Sequence, residues 1–400
     1  MATRRITSDL RGASKLAIAA TVGVTDLVEA MHRTIASVPA PFGQFEGGRA
    51  RGVAGLVYGA VRGVTRVVGG GIDAALALLP PMLGEGSDWP GRNQVLAALN
   101  GVLGDYLLRT GNPLAIPMQL RRDGRALELE RTALAAAIPQ ASGKLLVLVH
   151  GLCMSDLQWE RGGRDHGAAL AQALGYTPVY LNYNTGLHVS INGRQFAAML
   201  DDLVRAWPVP LTELAILGHS MGGLVARSAV HVAQAEAQAW VRRLRRLVFL
   251  GTPHHGAPLE RGGHWIDVFV GASPYTAAFN RLGRIRSAGI TDLRHGSLLD
   301  SDWQGHDRFA HGADTRTPVP LPEGIDCYAI AATTGTEAGE LAQRLIGDGL
   351  VPLDSALGRH EDARRALAFA AENTWIAYET NHLALLESEA VGEQLRRWLA

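Results

Sequence analysis

Apolar positions after about residue 116 fall into two kinds of run, one of strand length and one with the helical repeat. The runs of strand length are 144–150, 178–183, 214–218, 246–251, 327–332 and 375–378. The runs with the helical repeat are 166–174, 193–207, 222–239 and 383–399. Continuously apolar strands such as KLLVLV suit a sheet that is covered on both faces. Because strands and helices alternate, we predict an α/β fold with a mostly parallel sheet and flanking helices.

A hairpin is predicted at the start of this domain. The segments MQLRR and ALELE flank Asp123-Gly124, a dipeptide that favours a tight hairpin turn. We therefore expect the α/β domain to span residues 113–400 and the preceding residues 1–112 to form a separate extension.

The alternation fails between residues 258 and 323, a segment rich in Gly, Pro, Asp, His and aromatic residues. It is too long for an ordinary loop, and its position suits an insertion over the carboxyl ends of the strands. We predict a lid at about 258–323. Its ligand-type side chains are Asp292, His295, Asp300, Asp302, His306, Asp307, His311 and Asp314. They lack the tight spacing of a metal site, so we interpret them as polar lid surface and expect no metal.

The extension, residues 1–112, has Gly- and Ala-rich apolar stretches. Charged residues such as Arg62 and Arg66 interrupt them, so no run is long enough to span a bilayer. We predict helices packed on the α/β domain through small residues. The alternative is a segment that rests weakly on a membrane surface, with Arg51, Arg62 and Arg66 at the lipid headgroups.

The start of the chain resembles the first part of a signal peptide, because basic residues precede the apolar run 16–24. Asp9 lies inside the basic region, and the pattern continues as an amphipathic helix. We therefore expect a cytoplasmic protein. Association with a membrane surface and export are the alternatives.

Charge and cysteine content exclude several classes of protein. Lys and Arg together number 38, as do Asp and Glu, so no overall field attracts nucleic acid. The two cysteines, Cys153 and Cys327, are too few for a disulfide scaffold. We interpret both as small buried apolar residues, with a single bridge between them left open.

The segment 214–227, LAILGHSMGGLVAR, places one serine at the junction of an apolar strand and an amphipathic helix. Gly218 and Gly222 flank Ser220 at two residues on either side, where a Cβ would collide with a tight turn. This pattern predicts a nucleophile elbow with Ser220 as the nucleophile. The free N–H of Met221, in the first turn of the helix, is then placed to stabilise an oxyanion.

A serine nucleophile needs a base, an acid and a second oxyanion donor. The turn at His150-Gly151 after a buried strand predicts Leu152 N–H as that donor. For the base we favour His382, which follows the last strand, with His360 as the alternative. For the acid we favour Asp348, in a glycine-flanked turn, with Asp354 as the alternative.

Five motifs in order, VLVHGL, GHSMGGLVAR, LGTPHHGAPLE, GDGLVP and NHLALL, resemble an α/β-hydrolase of the bacterial triacylglycerol lipase and GPI-inositol-deacylase (PGAP1-like) kind. The resemblance covers residues 113–400. It implies a Ser220, Asp348 and His382 triad with Leu152 and Met221 as oxyanion donors. In the calcium-dependent lipases of this kind an aspartate two places after the catalytic histidine helps bind calcium. Ala384 stands at that place here, so we expect no calcium. A serine triad needs no cofactor, and we expect none.

These observations lead us to expect a serine hydrolase that cleaves carboxylic esters of a lipid-like kind. An acyltransferase or thioesterase with the same triad is the nearest enzymatic alternative. A lipid-binding scaffold without turnover is the non-enzymatic alternative.

Overall fold

The structure is a computed structural model that describes residue 15 and residues 92–257, 287–307, 314–336 and 347–400. By its internal contacts the chain divides into a smaller unit, residues 1–92 and 107–115, and a larger unit, residues 93–106 and 116–400. Most of the predicted extension, its membrane-surface segment included, and part of the predicted lid lie outside the described residues. The division into an extension and a domain at residue 113 stays a prediction.

The described strands and helices are named in chain order. The strands are β1 (Gln119–Arg122), β2 (Arg125–Ala126), β3 (Lys144–Val149), β4 (Thr177–Asn182), β5 (Glu213–His219), β6 (Leu244–Leu250), β7 (Asp326–Ala332) and β8 (Thr374–Ala377). The helices are α1 (Arg92–Arg109), α2 (Arg131–Ala137), α3 (His166–Leu174), α4 (Val189–Ala206), α5 (Met221–Ala235), α6 (Ala288–Asp292), α7 (Leu353–Ala356) and α8 (Glu389–Leu399).

Within the described residues, the eight strands form one sheet in the order β2-β1-β4-β3-β5-β6-β7-β8. The strands β4, β3, β5, β6, β7 and β8 run parallel, while β1 runs antiparallel to both of its neighbours. Helix α4 packs against α5, and α3 packs against α8. The central strand β3 is buried along Leu145–Val149, as its continuously apolar sequence predicts. The mostly parallel sheet with flanking helices is confirmed.

The predicted hairpin is present but shorter than the sequence pattern indicates. Asp123 (φ 49°) and Gly124 (φ 70°) are both left-handed, as a two-residue hairpin turn requires. Strand β2 ends at Ala126, before most of the ALELE segment. It is the edge strand, so only β1 pairs with it.

The predicted continuous helix over residues 383–399 is wrong in its first part. A 3₁₀ turn at Ala384–Leu386 precedes α8, which begins only at Glu389. Ser388 caps α8 because its side chain accepts a hydrogen bond from Val391 N–H at 3.4 Å. The amphipathic repeat therefore belongs to α8 alone, which buries Val391, Leu395 and Leu399.

Both cysteines are buried and free, which confirms their interpretation as small apolar residues. Burial raises the thiol pKa of Cys153, and that of Cys327, to about 12, so both are neutral thiols at ordinary pH. In the parts of the chain that the structure describes, helices long and apolar enough to cross a membrane are absent.

Candidate active site

Ser220 lies at the turn between β5 and α5 in a strained backbone conformation. Its φ of 54° and ψ of −126° are unusual for a residue with a Cβ. Its backbone N–H donates to the carbonyl of Leu250 at 2.8 Å, which ties the turn to the end of β6. A Cβ on Gly218 would lie 2.6 Å from the Cα of Gly223, so the strand and helix backbones touch here. This is the geometry of a nucleophile elbow.

Asp348 and His382 are joined by a short hydrogen bond. His382 Nδ1 lies 2.6 Å from Asp348 Oδ2, and both side chains are buried. The His382 backbone N–H also donates to the Asp348 carbonyl at 3.2 Å. The other carboxylate oxygen, Oδ1, accepts hydrogen bonds from the N–H groups of Leu350 (2.9 Å) and Val351 (2.8 Å). A carboxylate with both oxygens occupied in this way has a fixed orientation and holds the imidazole in one tautomer.

The alternative acid and base have other partners at the surface. Asp354 has an exposed side chain and forms a 3.4 Å salt bridge with Arg359. His360 accepts a hydrogen bond from the Asp362 N–H and packs its ring on His255. Of the two predicted acids and two predicted bases, the structure therefore brings together Asp348 and His382.

The end of β6 connects this pair to the elbow. Ser220 donates to Leu250, and a Cβ on the next residue, Gly251, would lie 3.2 Å from Cε1 of His382. The ring of His382 also lies 4.8 Å, centroid to centroid, from the ring of His219, the residue before Ser220. His219 Nε2 donates to the His382 carbonyl at 3.1 Å. The serine and the histidine thus belong to one buried cluster at the carboxyl edge of the sheet.

The two predicted oxyanion donors adjoin Ser220, because Met221 follows it in the chain and Leu152 follows Gly151. A Cβ on Gly151 would lie 2.9 Å from the Cβ of Ser220, so the loop that carries Leu152 passes directly over the serine. Within the described chain, the backbone N–H of Leu152 and that of Met221 donate no hydrogen bond to another protein group. Free backbone N–H groups near a serine at a helix N-terminus are what an oxyanion site needs.

His150 supports the loop that carries Leu152. Its Nδ1 donates to the Gly151 carbonyl at 3.0 Å, and its ring stacks on Tyr183 with centroids 4.5 Å apart. The Tyr183 hydroxyl donates to the His150 carbonyl at 2.8 Å. Burial lowers the pKa of His150 to about 4. The ring is therefore neutral at ordinary pH and braces the loop.

Buried histidines of this kind predict acid sensitivity. Burial lowers the pKa of His219 and of His254 well below 6.5, in the same direction as for His150. Below pH 6.5 the unfolded chain takes up protons at these rings while the folded chain does not, so the free energy of unfolding falls as the pH falls towards 4. For His150 alone the expected loss between pH 7 and pH 5 is about 2 kcal/mol.

Urea unfolding at pH 7 and pH 5 measures this loss. His150→Gln should show a smaller difference between the two pH values than the unsubstituted protein, because the glutamine does not titrate. The same substitution at the exposed His306 should leave the difference unchanged. A difference that is equal in all three proteins would contradict the role assigned to His150.

Two contributors to the site were missed by the sequence analysis. Cys153, the residue after Leu152, is left-handed (φ 58°), and its N–H donates to Thr185 Oγ1 at 3.1 Å. Thr185 lies in the Asn-Thr-Gly turn after β4. The Asn-Thr-Gly sequence favours a turn. Nothing in it indicates that the turn contacts the loop at Cys153.

Four carboxylates of the predicted lid bind protein donors. Asp292 binds His188 Nδ1 and Val189 N–H, and Asp300 binds Ser190 Oγ. The remaining pairs are Asp302 with Leu298 N–H and Leu299 N–H, and Asp314 with Arg316 and Arg365. Groups of three or more His, Cys, Asp and Glu side chains that could hold a metal ion are absent from the described residues. His311 lies outside them.

The strand order, the helices beside the sheet and the elbow between β5 and α5 define an α/β-hydrolase fold. Within it, residues 140–318 match the model of the PGAP1-like alpha/beta domain family. The matched segment includes Leu152, Ser220 and Met221, and over this segment the resemblance to the PGAP1-like family is confirmed. No curated protein matches the chain.

Similar solved structures include the mature form of the Bacillus licheniformis lipase BlEst2, with 19% identity over 64% of this chain and 92% of that one (TM-score 0.40). A Pyrobaculum calidifontis esterase has 13% identity over 76% and 90% (TM-score 0.38). YbtT, a type II thioesterase of the yersiniabactin biosynthetic pathway, has 16% identity over 64% and 92% (TM-score 0.38).

Proposed function

We propose that this protein is a serine hydrolase that cleaves carboxylic esters through an acyl-enzyme intermediate. The observation that carries the proposal is the Asp348–His382 hydrogen bond beside a strained serine at a strand-to-helix turn. A buried carboxylate that orients an imidazole next to such a serine activates a hydroxyl nucleophile. In this proposal Ser220 is the nucleophile, His382 the general base and Asp348 the orienting acid.

The reaction proceeds in two halves. Ser220 Oγ attacks the ester carbonyl carbon and passes its proton to His382 Nε2, while Asp348 stabilises the imidazolium through Nδ1–H. The tetrahedral intermediate collapses, and the alcohol leaves with the proton from His382. Water then attacks the acyl-serine with the same base, which releases the carboxylic acid and restores Ser220.

The oxyanion of both tetrahedral intermediates accepts hydrogen bonds from Leu152 N–H and Met221 N–H. What supports this assignment is the close approach of the Gly151 backbone to Ser220 and the position of Met221 in the first turn of α5. Donors fixed in the backbone need little reorganisation when the charge develops.

A lipid-like acyl group fits the surroundings best. Several buried neighbours of the proposed nucleophile and base are apolar, among them Leu152, Met221 and Leu385. Ser220 itself is only 2% exposed. Apolar surroundings favour an alkyl chain, because its transfer from water is favourable in proportion to the apolar area buried.

The test is hydrolysis of p-nitrophenyl esters of graded acyl length, together with labelling by a fluorophosphonate. We expect turnover that increases from acetate to medium or long acyl chains, and labelling that is lost in Ser220→Ala. An acyl group that passes mainly to an added alcohol in preference to water would indicate an acyltransferase. Absence of both turnover and labelling in the folded protein would contradict the proposal and favour a lipid-binding scaffold.

A further inference from the structure

Helix α1 lies against two loops at the carboxyl edge of the sheet. The relevant residues belong to its part within the larger unit, residues 93–106. A Cβ on Gly101 would overlap Sγ of Cys153 and lie 3.0 Å from its Cα. A Cβ on Gly104 would overlap the side-chain oxygen of Asn184. The backbone of α1 is therefore in direct contact with the loop after β3 and the loop after β4.

Hydrogen bonds join the same three segments. Asn184 Nδ2 donates to the Gly104 carbonyl at 3.0 Å, and Cys153 N–H donates to Thr185 Oγ1 at 3.1 Å. The Ser287 hydroxyl donates to the Gly101 carbonyl, which adds the segment before α6 to the cluster. Specific hydrogen bonds therefore join these segments in addition to the close approach of their backbones.

Helix α6 lies between the loop after β4 and the side chain of Met221. A Cβ on Gly289 of α6 would overlap the Thr185 carbonyl and lie 3.0 Å from the terminal methyl group of Met221. The Gly289 N–H donates to the Gly186 carbonyl at 3.1 Å. Thus one layer, α1 with the Asn184–Leu187 loop, contacts the residue after Leu152, and α6 connects that layer to the side chain of Met221.

Cys153 is the point at which this layer acts on the oxyanion site. Its φ of 58° is a left-handed conformation that residues with a Cβ adopt only when their surroundings enforce it. Burial between Gly101, the Ala98 carbonyl and Thr185 supplies that enforcement. Because Cys153 directly follows Leu152, its backbone conformation fixes where the Leu152 N–H is held.

We propose that α1 is a positioning element of the oxyanion site: the absence of a side chain at Gly101 lets its backbone hold Cys153 left-handed, which keeps Leu152 N–H directed at the Ser220 site. This inference rests on the proposed function. Gly101 and Cys153 contact no reacting atom in it; they act through Leu152. Residues 93–106, which the sequence analysis assigned to the extension, thereby contribute to catalysis.

The test is Gly101→Ala, whose added methyl group displaces Cys153. Misplacing an oxyanion donor weakens binding of the transition state more than binding of the substrate. We expect kcat to fall at least about tenfold with KM within about twofold. The inhibition constant of an alkyl trifluoromethyl ketone, whose serine adduct carries an oxyanion, should rise by about the same factor as kcat/KM falls. A merely structural role would not link these two changes.

Two further variants serve as rescue and control. In Gly101→Ala with Cys153→Gly the added methyl group meets no sulfur, although it still lies 3.0 Å from the Cα of residue 153. Because glycine adopts φ > 0 readily, kcat should recover a large part of what Gly101→Ala loses. Gln94→Ala, at an exposed position of α1, should change neither kcat nor the inhibition constant.

A second substitution decides the question if Gly101→Ala does not fold. Thr185→Val keeps the shape of the side chain but removes the acceptor for the Cys153 N–H, and it should give the same fall in kcat with little change in KM. A folded variant of either kind with unchanged kcat, or with a change in KM alone, overturns the inference. Ester turnover and fluorophosphonate labelling of the unsubstituted protein are measured first, and their absence would count against the proposed function instead.

Discussion

Ser220→Ala, His382→Ala and Asp348→Asn are each expected to lower ester turnover at least about a hundredfold, because the three side chains act as one unit. Serine loss removes the nucleophile, and histidine loss removes the proton acceptor. Asparagine at position 348 offers an N–H group where the imidazole Nδ1–H needs an acceptor, so it favours the wrong tautomer of His382. Initial rates with the best p-nitrophenyl ester measure the effect, and circular dichroism verifies that each variant is folded.

The chain supplies matched controls for the acid and the base. Asp354→Asn alters an exposed carboxylate that pairs with Arg359, and His360→Ala alters a half-buried imidazole outside the proposed site. Both variants should keep turnover within about threefold of the unsubstituted protein. Near-normal turnover in Asp348→Asn with a large loss in Asp354→Asn would reassign the acid.

Gly222→Ala is expected to cause a large loss of stability. The added Cβ would overlap the carbonyl oxygen of Val149 and lie 2.6 Å from that of His150. Both oxygens belong to the backbone at the end of β3, a strand in the interior of the sheet, so they cannot move without disturbing the core. Overpacking against such a backbone costs about 3 kcal/mol, which the midpoint of urea unfolding measures.

Gly392→Ala is the control for this substitution. Gly392 lies in α8, and a Cβ there would meet the nearest atom, Nδ1 of His166, at 3.4 Å, an ordinary contact. Alanine favours a helix over glycine by about 0.8 kcal/mol, so this variant should be as stable as the unsubstituted protein or slightly more so. Equal losses in the two variants would contradict the argument from close approach at the elbow.

The parts of the fold that follow from local sequence were predictable. Strands β3 and β5 begin and end within one or two residues of the predicted runs, because burial on both faces demands continuous apolar sequence. The elbow was predictable for a steric reason, since glycines are required where strand and helix backbones touch. Each of these features depends on neighbours within a few residues.

Other features depend on contacts between distant residues and left no local pattern. Nothing in the sequence near Gly101 indicates that Cys153 lies against it. The pairing of His188 with Asp292 joins residues 104 apart in the chain. The choice between Asp348 and Asp354 was open for the same reason, because both lie in the segment after β7. The two candidates differ in their contact with His382, which follows β8 and binds Asp348.

The connection between Asp348 and His382 contains exposed residues, Glu361 and Arg364 among them. The two ends of this connection are held together independently of it, by the side-chain and backbone hydrogen bonds between Asp348 and His382 and by the pairing of β7 with β8. Covalent continuity through residues 361–364 is therefore not what keeps acid and base in register. A break in the chain within this exposed segment should therefore leave Asp348 and His382 in contact.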